Sequence, residues 1–293
     1  MSTRFHPGEL RAQMLAGVSA SDGAIRDAMP DQHRDFFATL PFILAATLDA
    51  DGAPRAQVWS GAPGFISSPD AATLRLTMDL APARDDGAAP ALQPGARVGL
   101  LGLDFATRRR NRVNGVVRAG GSDALTVQVR ESFGNCPQHI TRRAVRMVAP
   151  HAHPAHPVQV SSSLDAAARS LIARADTLFI ATSGGKYGVD MSHRGGPPGF
   201  ARIDGDQLVI PDFNGNRYFN TFGNLLVDPR AALLFIDFAS GDVLELTGTC
   251  TIAWQSAPAI PGQEGGRQWR FTLARASFQR APLALRWDAV ETV

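Results

Sequence analysis

Two short phrases bring arginine, serine and asparagine together in a way that could hold an oxyanion. One is Ser192-His193-Arg194, at the end of a stretch that reads as a β-strand. Side chains alternate along a strand, so Ser192 and Arg194 share one face while Met191 and His193 share the other. The other phrase is Asn214-Gly215-Asn216-Arg217, which the pattern places at the opening of a helix closed by Asp228-Pro229. Tyr218, Phe219, Phe222, Leu225 and Leu226 would form the apolar stripe of that helix, leaving Arg217, Asn220 and Asn224 on a polar face. A cation is disfavoured in a first helical turn, whereas the free N–H groups there attract anions. A phosphate gripped by Ser192, Arg194, Asn216, Arg217 and Asn220 would resolve that conflict and give Arg217 a bidentate partner. A solvent-facing arginine beside an asparagine cap accounts for the same spacing equally well.

Other stretches carry chemistry-capable residues with less direction. Thr107–Gly115 is the densest basic run. As a strand it puts Arg108, Arg110, Arg112 and Asn114 on one face. Arg108 and Arg109 read as solvated, and Arg112 and Asn114, deeper in the strand, as the members facing a ligand. Cys136 has no evident activator, so the phrase Ser132–Pro137 reads as a structural turn with Pro137 opening a helix. Gly184-Gly185-Lys186 lacks P-loop spacing, and no G-x-G-x-x-G follows a strand. His151, His153 and His156 lie among prolines without acidic or cysteine partners, which favours a linker over a metal site.

The elements that must position these residues are short strands punctuated by turns, which argues for a barrel. Helical patterns within Leu10–Ala28 and over Asp31–Thr39 precede strands Phe42–Leu48, Pro54–Ser60, Thr73–Met78, Arg97–Leu103, Arg112–Arg118 and Leu125–Arg130. After the linker, Ser163 reads as the N-cap of another helix. Strands follow at Leu178–Thr182, Phe200–Ile203, Leu208–Ile210, Ala231–Phe238, Val243–Ile252 and Trp269–Leu273. Landmarks recur between the halves. Ala46-Thr47 returns as Ala181-Thr182 and Pro63-Gly64-Phe65 as Pro198-Gly199-Phe200, each 135 positions on; Arg97–Phe105 returns as Arg230–Phe238 and Gly115 as Gly248, each 133 on. A near-constant offset indicates duplication. The predicted units are 1–147, a linker at 148–163, and 164–293. At the same offset Trp59 stands opposite Arg194 and Gln57 opposite Ser192, and the loop Ala81–Gly95 stands opposite the Arg217 helix. The first unit therefore lacks the proposed cradle.

At these residues the chain resembles a known family. The strand order, the arginine after the second strand, the Asn-Arg phrase and the Asp-Pro-Arg followed by ALLFID are similar to the FMN-binding split barrel of the pyridoxamine 5'-phosphate oxidase family. The phrases SHRGGPPGF, GNRYFNTFGNLL, RRRNRVNG and SFGNCPQHI resemble a two-barrel bacterial branch of it, over most of the chain. The resemblance implies a mainly β, α+β protein with two tandem split barrels forming a pseudo-dimer, and FMN as cofactor in the cleft between them. It implies a flavin-dependent oxidoreductase acting on an unnamed small molecule, with a non-catalytic flavin carrier or sensor, or a binder of haem or a deazaflavin, as the alternatives. The cofactor-binding residues expected are Ser192, Arg194, Asn216, Arg217, Asn220, Arg112 and Asn114.

Composition sets outer limits. Hydrophobic residues are 44% and charged residues 19% of 293, the profile of a globular chain long enough for two domains. A formal net charge of +2 does not argue for nucleic acid or an anionic membrane. Two cysteines make neither a disulfide framework nor a metal set, and no leading apolar segment or membrane span is evident, so a cytoplasmic protein is expected. A homodimer on top of the internal pairing is left open. Trp287 is expected to dock on its own barrel rather than to cover a ligand.

Overall fold

A computed structural model describes residues 3–62, 64–77, 92–121, 123–148, 156–215, 217–255 and 266–290. The first half holds α1 (Pro7–Leu15), α2 (Asp31–Ala38), β1 (Phe42–Leu48), β2 (Pro54–Ser60), β3 (Ile66–Asp70), β4 (Thr73–Thr77), β5 (Arg97–Asp104), β6 (Arg109–Gly120), β7 (Ala124–Gly134) and β8 (Arg143–Met147). The rest holds β9 (Gln159–Ser161), α3 (Ala166–Arg174), β10 (Thr177–Ser183), β11 (Val189–Gly195), β12 (Arg202–Asp204), β13 (Gln207–Pro211), α4 (Asn220–Val227), β14 (Arg230–Ile236), β15 (Val243–Ala253), β16 (Gln268–Gln279) and β17 (Leu285–Ala289). No helix among the described residues is long and apolar enough to cross a membrane.

The fold is mostly β, with two antiparallel sheets of matching strand order. The first runs β2-β1-β5-β6-β7-β4-β3 and the second β11-β10-β14-β15-β16-β13-β12, with β9 added on β16. Neither path closes by hydrogen bonding, so the expected barrels are open at the β2/β3 and β11/β12 ends. Strand β8 pairs with β17 across the halves.

Alternation explains why the central strands are apolar throughout. In β1, Ile43 and Ala45 face the interior of the first sheet, while Phe42, Leu44 and Ala46 face a core shared with the second sheet. In β10, Leu178 and Ile180 face the second interior, and Phe179 and Ala181 face the shared core. Strands covered on both faces lose the polar alternation of a solvated sheet. The approach is close at Gly99, where an added Cβ would lie 2.4 Å from the Val189 carbonyl oxygen. Trp287 also belongs to the shared core, edge-on to Phe42 and Phe238, so it docks across the halves rather than on its own sheet alone.

Two buried ion pairs cross this junction. Arg55 on β2 donates through Nε (3.0 Å) and Nη2 (2.5 Å) to the Glu245 carboxylate on β15. Arg112 on β6 donates through Nη1 to Asp190 Oδ1 on β11 at 2.9 Å. Arg55 faces Thr47 in its hairpin as Asp190 faces Thr182, and Arg112 faces Leu101 as Glu245 faces Leu234. The pairs thus occupy matching positions with acid and base exchanged.

Several local expectations are corrected. The N-cap of α3 is Asp165, which accepts from Ala168 N at 2.8 Å; Ser163 is instead held in a turn by Ser161. No helix starts at Pro137, where the chain passes through a turn with His139 at φ 60°. Helix α1 packs on α4 of the other half, so close that a Cβ on Gly8 would lie 2.3 Å from the Gly223 carbonyl oxygen. Strand β3 and the pair β8/β17 lack a clear sequence signal: β3 contains Pro69, and β8 is largely exposed. His151, His153, Pro63 and most of the loop Ala81–Gly95 lie outside the described residues.

Candidate functional site

The junction of the two sheets organises the site. Strand β6 sends Arg110, Arg112 and Asn114 from one face toward β11, as the basic run predicted. Arg112 bridges Asp190 and Ser192, donating from Nη2 to Ser192 Oγ at 2.7 Å. Asn114 Nδ2 donates to Asp190 Oδ1 at 2.8 Å and to Glu131 Oε2 at 3.0 Å. Asn224 Nδ2, from α4, donates to Asp190 Oδ2 at 2.7 Å. Asp190 is therefore a buried hub joining β6, β11 and α4. Ser192 Oγ accepts from Arg112 and from Thr221 Oγ1 (3.0 Å), which leaves its own hydroxyl proton to donate.

A cleft of about 160 Å³ opens beside this hub. The end of β11 gives it Ser192, His193 and Arg194; the segment after β13 gives Asp212, Phe213, Asn214 and Gly215. Arg217, Phe219, Asn220 and Thr221 lead into α4, Arg267 comes from the residues before β16, and the first half adds Leu101, Arg110, Arg112, Asn135 and Val18. Residues 18–135 thus form one wall of this cleft.

The expected cradle is partly assembled and partly reassigned. Ser192, Arg194, Arg217, Asn220 and Arg112 all line the cleft. Asn216 lies outside the described residues. Arg217 is not in a helical turn: α4 begins at Asn220, and Arg217 precedes it as an exposed residue at φ 62°. Phe219 also takes the left-handed conformation, at φ 60°. Each such non-glycine residue costs about 1–2 kcal/mol, and such strain gathers where a ligand is clamped. Asn220 is the first residue of α4, but its Nδ2 donates to the Glu9 carboxylate on α1. Asn224 is likewise occupied, its Oδ1 lying 3.0 Å from His6 Nε2. The polar face of α4 is buried against α1 and Asp190 rather than presented to a ligand. Asn114 does not line the cleft; it supports Asp190 from behind. No side chain among the described residues caps the N-terminus of α4.

The electrostatics of the cleft are dominated by guanidinium groups. Arg194 Nη1 stands 3.5 Å from Asp212 Oδ1, and its Nε is buried without a partner among the described residues. Arg267 Nε donates to Asp212 Oδ2 at 3.0 Å. Arg194 lies over the Phe222 ring, 5.5 Å from its centroid. Burial pulls the Arg194 pKa below its ordinary value, only in part restored by Asp212. Burial, with Arg112 next, pulls Arg110 down to about 10. Burial, followed by Arg110 and Arg194, pushes His193 well below the usual histidine range, so it is neutral. Behind the cleft, burial and then Asp190 raise Glu9 to about 8. The described residues contain no cluster of His, Cys, Asp and Glu suited to a metal.

Arg110, His193, Asn135, Asp212 and Arg267 line the cleft without being expected there from the sequence. The first had a usable signal, since strand alternation puts Arg110 on the same face as Arg112. His193 was placed correctly on the Met191 face of β11. Because β11 is the edge of its sheet, the cleft reaches both faces. Asp212 and Arg267 meet only through the pairing of β13 with β16, which local spacing cannot show.

Residues 164–280 match the family model described as pyridoxamine 5'-phosphate oxidase. No curated protein sequence matches the chain. Among solved structures, a putative pyridoxamine 5'-phosphate oxidase from Lactobacillus delbrueckii is similar at 15% identity, covering 37% of this chain and 95% of that one, with a TM-score of 0.29. An FAD-binding protein from Mesorhizobium loti is similar at 11% identity, covering 42% and 98%, with a TM-score of 0.30. The haem storage protein HutZ of Vibrio cholerae is similar at 11% identity, covering 40% and 95%, with a TM-score of 0.28.

Proposed function

Because residues 164–280 belong to the pyridoxamine 5'-phosphate oxidase family, we propose that this protein binds FMN in the cleft between its halves and acts as a flavin-dependent oxidoreductase on a small molecule. The observation that carries the reading is the unmet donor capacity at one end of the cleft. Among the described residues Arg194 Nε is buried without a partner and no side chain caps α4; Ser192 has a hydroxyl proton to give, and Arg217 stands beside the helix start in a strained conformation. A phosphate would satisfy all four at once. Ser192, Arg194 and Arg217 would hold it, with Arg112 fixing Ser192 and Asn220 fixing the start of α4. Arg112, which lines the cleft, serves the cofactor by holding Ser192, and Asn114 serves it through Asp190.

The chain is proposed to be two tandem split barrels, 1–147 and 164–293, joined by 148–163 and packed as a pseudo-dimer. The matching strand orders and matching ion-pair positions support that duplication. The exchange of acid and base between the pairs also supports a single flavin site. The arginine that steadies Ser192 at one position is replaced by Glu245 at the other.

FMN would supply hydride or electron transfer, while the protein binds and orients it and sets the charge around it. No flavin partner beyond the substrate is invoked, and neither nucleic acid nor membrane is proposed. The visible spectrum of the purified protein separates flavin from haem. Anaerobic mixing of the yellow protein with NADH and NADPH then tests the oxidoreductase reading. Reduction of the flavin supports it, and no reduction by either donor favours a carrier.

A further inference from the structure

Arg110 and His193 meet at the other face of β11. Arg110 Nη1 lies 2.8 Å from His193 Nδ1. A guanidinium can only donate, so Nδ1 must accept and the ring proton sits on Nε2. The ring is 7% exposed, and its Nε2–H has no partner among the described residues. Arg110 Nε is also buried without a partner among the described residues. Among the described residues, Arg112 pairs with Asp190 and both Arg194 and Arg267 with Asp212, but no carboxylate lies within ion-pair distance of Arg110. Two stranded donors and one uncompensated cation therefore border the same cleft. Buried donors and charges left in this state are unfavourable.

We infer that Arg110 and His193 form a subsite for a carboxylate of the ligand that shares the cleft with the flavin. One negative charge balances Arg110, and two planar oxygens accept from the guanidinium and from His193 Nε2–H. A neutral carbonyl would leave the charge unbalanced, and a phosphate dianion would exceed it. Leu101, which lines the cleft, suits an apolar body behind the carboxylate. The subsite is separate from the phosphate end, because His193 projects from the opposite face of β11 to Ser192 and Arg194. It rests on the proposed function only in taking this cleft as the ligand cleft.

The test uses benzoate, benzyl alcohol and inorganic phosphate as probes, by calorimetry on the flavin-free full chain. Wild type is expected to bind benzoate and to prefer it to benzyl alcohol. R110M is expected to weaken benzoate at least tenfold and to leave inorganic phosphate unchanged. H193F, which keeps a ring but loses Nε2–H, should weaken benzoate several-fold. R110M should melt no lower than wild type without ligand, since it removes an unpaired buried charge. Ring 15N NMR should show the Nε2–H tautomer of His193, with its signal moved by benzoate. The inference is overturned if wild type ignores benzoate, if R110M binds it as wild type does, or if R110M loses phosphate instead. A marked fall in R110M melting temperature would likewise assign Arg110 to structure alone. None of these results depends on whether Arg194 and Arg217 hold the FMN phosphate, which R194A and R217A test separately.

Discussion

Replacing Arg112 by Met should destabilise the flavin-free protein through Asp190 rather than through lost packing. Arg112 and Asp190 side chains are 5% and 8% exposed, and the pair is drawn to 2.9 Å. In R112M the Asp190 carboxylate would keep only the amide donors of Asn114 and Asn224. Stranding one member of a buried pair costs about 3–5 kcal/mol. At about 2–4 °C per kcal/mol for a chain of this class, that lowers the melting temperature by roughly 6–20 °C. D190N strands the arginine and should cost a similar amount. The double variant R112M/D190N removes both charges, so its loss should fall short of the summed single losses by about 2 kcal/mol or more. Urea unfolding of the four proteins at pH 7 closes this cycle. Additivity within about 0.5 kcal/mol would refute the hub, because it would mean that the two groups do not interact.

Three further outcomes follow from particular contacts. Glu9 has a pKa raised to about 8, so the folded state binds a proton that the unfolded state releases above the ordinary carboxylate range. Stability should therefore decline as pH rises toward about 8, and urea midpoints between pH 6.5 and 8.5 should flatten in E9Q; an unchanged slope would remove Glu9 as the cause. His6 and His193, whose pKa values are lowered, act in the opposite sense, with stability lost as pH falls below about 6.5, and Glu131, raised by burial, acts in the same sense as Glu9, so the comparison with E9Q assigns the slope. G99V should destabilise the protein by more than about 2 kcal/mol by pushing β5 from the Val189 backbone, and a thermal melt equal to wild type would contradict the close packing of the halves. C136S should leave the fraction of bound flavin unchanged, since Cys136 is absent from the cleft lining; loss of flavin from a folded C136S protein would refute that.

What could be read from the chain beforehand divides along physical lines. Strands β1 and β2 were read to the residue, because apolar runs ending at Asp51-Gly52 and Gly61 leave little freedom. The recurrence of landmarks was legible for a similar reason: Ala46 and Ala181, Arg97 and Arg230, and Gly115 and Gly248 fall on strands of matching rank in the two sheets. The start of α4 was misread by several residues. Asn214-Gly215-Asn216-Arg217 carries cap-type residues, but Asn214 and Gly215 lie outside any helix, and Arg217 and Phe219 are left-handed before α4 begins at Asn220. Asn220 and Asn224 looked free for a ligand because nothing local reveals that α1, more than 200 positions earlier, lays Glu9 and His6 against them. Asp190 was missed as a hub because its partners come from β6 and α4, which only the packing of the two halves brings together.

The most direct test of the phosphate assignment is a comparison of FMN with riboflavin, which lacks the phosphate. Fluorescence quenching would give dissociation constants for both ligands with wild type, R194A, R217A and, as a first-half control, W59A. The arginine variants are expected to weaken FMN by about ten- to a hundredfold, as loss of one charged hydrogen-bonding group implies, and riboflavin far less. W59A should show no such difference between the ligands. Equal losses for FMN and riboflavin in R194A and R217A, or no loss for either, would place the phosphate elsewhere and contradict the site.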